Sequence, residues 1–208
     1  MIVVVDYNVG NVQSVRNALD YLGIEDALSA DPAVLLGADG IILPGVAAFG
    51  FAMRQLGDLG RVVREAALGG TPLLGICVGH QLLFERSDEL GEHAGLGLVA
   101  GRIVPIPRQA GLSIPHMGWN AVQPDGPMDL FEGLGPQEHF YFAHSFYAEV
   151  TDPEARVAWV DYGGRRVASV QKGNIYGVQF HPEKSAPVGL HVLRNFEALC
   201  RRRPHVAG

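Results

Sequence analysis

Residues 71–84 read TPLLGICVGHQLLF, and the surroundings of their one cysteine decide how the rest of the chain is read. The apolar run 72–76 predicts a short buried strand, Cys77 a sharp turn, and the residues from Gly79 onward the first turns of a helix. Glycines at 75 and 79 bracket the cysteine as G-x-C-x-G, the nucleophile-elbow pattern with sulfur in place of a serine oxygen. Such a turn crowds the backbone, so its flanks favour residues without a Cβ. The Cys77 thiol is expected to stand exposed at the N-terminal end of the helix, where partial positive charge favours thiolate over thiol. Taken alone, the pattern also fits a small cysteine packed in an α/β turn.

A cysteine nucleophile needs a base within hydrogen-bond reach and a third group to orient that base. Far downstream, residues 175–180 (IYGVQF) read as another buried strand, followed at once by His181, Pro182 and Glu183. Two strand ends that meet in space would bring Cys77, His181 and Glu183 together. Together, GICVGHQ and GVQFHPEKS resemble the triad motifs of the class I, triad-type glutamine amidotransferases. The resemblance implies hydrolysis of glutamine to glutamate and ammonia, with Cys77 as nucleophile, His181 as proton carrier and Glu183 holding the imidazole.

The oxyanion of such a reaction needs backbone donors. The N–H of Val78, next after the nucleophile, is one candidate, and that of Val46 is the second. Val46 lies in PGVA (44–47), a loop at another strand end, where open α/β sheets gather ligands. The family's loop reads PGVG, so Ala47 departs from it and is expected to restrict the backbone. By resemblance, Gly45, Ala47, Gln81, Ser145 and Phe146 belong to the glutamine site. His80, where the family more often has methionine, and His144 are expected to be structural.

Residues 2–5 are an unbroken apolar run fit for a central strand, and Val12, Val15, Leu19 and Leu22 recur at helical spacing. A weak strand at 24–28, an Asp31-Pro32 helix start, a strand at 40–43 and helical patterns over 49–68 lead back to the elbow. This order predicts a mostly parallel, doubly wound α/β sheet with helices on both faces. Residues 85–92 read as a polar surface turn. Beyond Leu98, short alternating segments separated by turn residues predict antiparallel strands added to that core, and a last helix spans 185–202. The basic residues 201–203 suit that helix's C-terminal end.

With 208 residues and no linker or repeat, the chain is expected to be one amidotransferase domain, burying roughly 70% of its unfolded surface. A net charge of −6 argues against a general nucleic-acid binder. No apolar run approaches the ~18 residues of a membrane span, and the N-terminus lacks the pattern of a signal peptide. Two cysteines, 77 and 200, make no disulfide framework, which fits a reducing cytoplasm. Cys200 falls in the last helix's pattern as plain packing. No phosphate-cradling loop or metal-ligand cluster appears, so neither cofactor nor metal is expected.

Within the family, DYNVGNVQSVRNAL (6–19), PHMGWN (115–120) and HSFY (144–147) resemble the glutaminases that serve an imidazole-forming cyclase in histidine biosynthesis. Asn8 departs mildly from their usual D-Y-G-x-G-N. That resemblance implies a HisF-type (β/α)8 barrel cyclase as partner in a heterodimer, ammonia passing between them, and a glutaminase nearly idle until the cyclase binds its nucleotide. Asn11, Trp119 and Asn120 are the candidate interface residues, Trp being enriched among binding hot spots. Two alternatives stay open: a glutaminase serving anthranilate or pyridoxal phosphate synthesis, and a stand-alone cysteine hydrolase.

Overall fold

Every residue of IVVV, GIIL, LLGI and IYGV is buried, as strands covered on both faces require. The computed structural model describes residues 1–202, so position 203 of the basic run lies outside the described residues. The chain begins with β1 (Ile2–Val5), α1 (Val12–Tyr21), β2 (Asp26–Ser29), α2 (Pro32–Leu36) and β3 (Gly40–Leu43). It continues through α3 (Phe49–Leu56), α4 (Leu59–Leu68), β4 (Leu73–Ile76) and α5 (Val78–Leu82). Strands dominate the second half: β5 (Phe84–Ser87), β6 (His93–Ala94), β7 (Val99–Pro105), β8 (His116–Pro124) and β9 (Glu138–His144). The last elements are β10 (Phe146–Val150), β11 (Arg156–Asp161), β12 (Arg165–Lys172), β13 (Ile175–Val178) and α6 (Ala186–Arg201).

Nine strands form one sheet in the order β2-β1-β3-β4-β13-β12-β11-β8-β9. The run from β2 to β13 is parallel, and β12, β11, β8 and β9 extend it antiparallel. A second sheet, β10-β7-β5-β6, flanks it. The parallel core with antiparallel additions is the α/β architecture expected from the sequence. Residues 85–92 correct that expectation in part: 85–87 belong to β5, whose parallel partner β7 lies outside any local pattern, and the surface turn is confined to 88–92. Among the described residues no helix is long and apolar enough to cross a membrane.

One register matters most for the site. β13 pairs in parallel with β4, Val178 opposite Ile76, while β3 pairs with β4's other edge, Leu43 opposite Gly75. Three chain segments therefore leave the sheet side by side: the loop after β3, the turn at Cys77, and the stretch from Gln179 to His181. Close approach explains the glycines. A Cβ on Gly79 would lie 1.7 Å from the Leu43 carbonyl oxygen, and one on Gly75 2.5 Å from that of Gly79. Cys200 packs as expected, buried against Gly40.

Candidate active site

Cys77 itself carries the strain of the elbow, with φ +56° and ψ −110°. A non-glycine residue there costs about 1–3 kcal/mol and persists only where its surroundings over-determine it. They do so from both sides: the Cys77 N–H donates to the Val178 carbonyl at 2.8 Å, and the Cys77 carbonyl accepts from the Gln81 N–H at 3.1 Å. The thiol is not on the surface, as the sequence led us to expect. Cys77 is 3% exposed, walled in by the neighbouring strand ends, and it opens instead into a cavity of about 310 Å³. Nor is the helix behind it long. α5 has five residues, so its field supplies little of the support for a thiolate.

His181 lines the same cavity as Cys77, and its Nδ1 lies 2.8 Å from Glu183 Oε1, which leaves Nε2 as the ring's other proton site. Burial alone would push the imidazole down. The hydrogen bonds and charges of Cys77 and Glu183 overrule it and hold His181 at about 9. Both neighbours therefore favour the protonated ring. The His181 N–H donates to the Tyr141 carbonyl at 2.9 Å, and Ser185 Oγ donates to the His181 carbonyl at 2.6 Å, so both peptide groups of the base are pinned. Glu183 Oε2 is buried without a hydrogen-bond partner among the described residues.

Val46, Ala47, Gln81, Ser145 and Phe146 all line the cavity with Cys77 and His181. Gln81 is buried, and its amide donates to the Phe146 carbonyl at 3.2 Å and to Gln179 Oε1 at 3.0 Å. The oxyanion donors are arranged otherwise than expected. The Val78 N–H already donates to the Gly45 carbonyl at 3.2 Å, so it is not free in this conformation. Gly45 is tightly enclosed: a Cβ there would lie 2.8 Å from the Tyr7 hydroxyl and 3.0 Å from Val78 Cβ. Tyr7 donates to the carbonyl of Pro44 next door, and burial, followed by the charge of Cys77, raises its phenol. Ala47 is absent from the positive-φ positions, so its Cβ adds no strain to the loop as it stands.

The candidate interface residues have mixed fates. Trp119 is half exposed on β8, with Met117 also exposed beside it. Asn11 caps α1, its Oδ1 accepting from the Ser14 N–H at 3.4 Å, so its side chain is engaged locally. Asn120 lies 2.7 Å from His116 Nε2. Three residues near the nucleophile escaped the sequence reading. Gln179 donates toward Cys77 Sγ at 3.8 Å; its one signal was a polar residue closing an apolar strand. Glu89 and Lys184 line the cavity rim, and Glu89 accepts from the Phe49 N–H at 2.7 Å, a long-range contact without local signature. A larger surface groove of about 590 Å³ beside Met128 and Leu134 contains no cysteine, serine or histidine, so the smaller cavity is the site.

The chain matches known proteins along nearly its whole length. A family model described as glutamine amidotransferase class-I matches residues 3–198. The chain is 50% identical over 201 residues to the imidazole glycerol phosphate synthase subunit HisH of Lacticaseibacillus casei strain BL23, covering 96% of each chain. It is 48% identical to the HisH subunit of Symbiobacterium thermophilum, over 94% of this chain and 92% of that one. In fold it is similar to a putative GMP synthase protein from Thermoplasma acidophilum, with a TM-score of 0.74 at 24% identity over 96% and 93% of the two chains. A further solved structure, a glutamine amidotransferase, has a TM-score of 0.74 at 22% identity and covers 97% of this chain and 100% of that one. With Cys77 at the end of β4, His181 and Glu183 just past β13, and these relatives on nearly its whole length, the chain belongs to the class-I glutamine amidotransferase family, among the HisH subunits of imidazole glycerol phosphate synthase.

Proposed function

We propose that Cys77, His181 and Glu183 hydrolyse glutamine to glutamate and ammonia, and that the ammonia is delivered to a cyclase partner. One observation carries the reading: Cys77 and His181 line one cavity at adjacent strand ends, sized for one amino acid, with Glu183 Oε1 2.8 Å from the imidazole's far nitrogen. The thiolate attacks the side-chain amide carbon of glutamine, and the carbonyl π pair moves onto oxygen. Collapse of that intermediate breaks the C–N bond as protonated His181 gives its proton to the departing nitrogen, releasing ammonia and leaving a thioester. His181 then takes a proton from water, whose oxygen attacks the thioester, and the thiolate leaves with glutamate formed. Glu183 holds the tautomer and stabilises the imidazolium. Glu89 and Lys184 at the rim match the charges of glutamine's zwitterionic end.

The oxyanion loop supplies the control. Rotating the Gly45–Val46 peptide would withdraw the Gly45 carbonyl from Val78 and turn the Val46 N–H inward, giving two donors at once. The cyclase is a HisF-type (β/α)8 barrel that docks as a heterodimer over Trp119 and Met117, beside Asn120, and its nucleotide-bound state favours the rotated loop. The chain then acts as one amidotransferase domain in the cytoplasm.

Glutamate release, measured with and without a HisF-type cyclase and its acceptor nucleotide, tests this. Expected is slow turnover alone, a large rise in the ternary mixture, and loss of both in folded Cys77→Ala. Full activity of the isolated chain would favour the stand-alone hydrolase instead.

A further inference from the structure

The Cys77 sulfur has a neighbour that the triad does not use. Gln179 is fully buried just past β13, its backbone N–H held by the Ala168 carbonyl at 2.8 Å. Its Nε2 lies 3.8 Å from Cys77 Sγ, and its Oε1 accepts from Gln81 Nε2 at 3.0 Å. Which end of a side-chain amide is nitrogen follows from its hydrogen-bond network, and here a backbone carbonyl decides. The Phe146 carbonyl can only accept, and it takes Gln81 Nε2 at 3.2 Å and His144 Nδ1 at 2.7 Å. The Gln81 NH2 therefore faces Phe146, and its second proton meets Gln179 Oε1. Turning the Gln179 amide over would oppose two NH2 groups and set a carbonyl oxygen against the sulfur.

The same lock extends outward. With its Nδ1 proton directed at Phe146 and burial keeping the ring neutral, His144 accepts at Nε2 from His116 Nδ1, 3.0 Å away. His116 Nε2 lies 2.7 Å from Asn120 Oδ1, and with Nδ1 as the donor a neutral ring there needs the Asn120 amide turned to present its nitrogen.

We propose that Gln179 is a fourth catalytic side chain, whose amide N–H, held in one orientation by Gln81 and Phe146, stabilises the Cys77 thiolate. A thiol is a weak acceptor and a thiolate a strong one, so a fixed donor favours the ionised sulfur. The un-ionised thiol instead has the Ala143 carbonyl, 4.0 Å away, to donate to. Gln179 weights the balance between these two states.

The proposal rests on Cys77 being the nucleophile, but its test needs neither glutamine nor partner. The rate of Cys77 alkylation by iodoacetamide is followed against pH in the full chain, with adducts located by peptide mass spectrometry to separate Cys77 from Cys200. Gln179→Met keeps the length and removes the donor. It is expected to slow alkylation about tenfold at neutral pH, the scale of one hydrogen bond to a charged group, and to converge on the unsubstituted chain in alkali. Coincident profiles, or a uniform slowing at every pH, would overturn the proposal. If the methionine variant does not fold, Gln179→Asn, which withdraws the amide by one methylene, gives the same comparison, and either pattern of rates carries the same meaning. A chain inert toward glutamine whose alkylation still depends on Gln179 would strike the functional reading alone.

Discussion

His80 follows the nucleophile by three positions, yet nothing in the chemistry uses it. Its ring is wholly buried, meets Phe84 edge-on, and has no hydrogen-bond partner for either nitrogen among the described residues. A Cβ on Gly177 would lie 2.3 Å from its Nδ1, so the imidazole sits flat against the floor of β13. Burial, and then the charge of His144, lowers it to about 3. The unfolded chain binds a proton near pH 6.5 that the folded chain refuses until about 3, so stability is lost as pH falls through that window. Each pH unit within it costs about 1.4 kcal/mol for this one ring. His144, also lowered to about 3 by burial, adds a similar slope. His80→Met removes the unpaired nitrogens with a side chain that adapts to irregular space. It is expected to raise unfolding stability by about 1–3 kcal/mol at pH 7, and by about 2 kcal/mol more at pH 5. Urea titrations at the two pH values measure this; an unchanged difference between them would show that His80 is not the acid-sensitive group.

At the scale of elements, the elbow depends on two strands and a short helix packing closer than side chains allow. A Cβ on Gly75 would meet only backbone, including His80 Cα at 2.8 Å, which cannot rotate aside. Gly75→Ala is therefore expected to cost about 2–4 kcal/mol of stability and to slow Cys77 alkylation by moving the turn. Gly37→Ala makes the control, because its Cβ would find ordinary contact at 3.4 Å with the Ala33 carbonyl oxygen. A change within about 1 kcal/mol is expected there. Similar losses in both would mean that generic glycine entropy, and not the tight crossing of β4 and α5, governs the site. Most of the parallel core was legible because β1, β3, β4 and β13 are apolar runs carrying their own burial signal, whereas the edge strand β2, DALS, carries only a weak one. β5 was not, since FERS looks polar and is held by pairing with distant β7. In the same way β8 runs from His116 to Pro124 although Gly118, Asn120 and Gln123 interrupt its pattern.

For the molecule as a whole, the proposed mechanism makes activating the nucleophile and arming the oxyanion hole separate tasks. The motifs at 77 and 181–183 point to the proposed first set of groups, because residue type and order carry that information. They could not give the state of the second, since a peptide can face either way without changing a side chain. In the described conformation His181 is raised by its neighbours Cys77 and Glu183 while the Val78 N–H is taken up by Gly45. Alkylation by iodoacetamide needs only the thiolate, for displacement at a methylene carbon builds no tetrahedral oxyanion. Glutamine hydrolysis needs both, and losing an oxyanion donor costs about two to three orders of magnitude. The isolated chain is therefore expected to alkylate readily while turning over glutamine slowly. Adding the cyclase with its nucleotide should raise glutamine turnover by about two orders of magnitude or more, while changing the alkylation rate, corrected for access, by only a fewfold. Parallel rises in the two rates would instead place the control on the sulfur–imidazole pair and leave the Gly45–Val46 peptide a bystander.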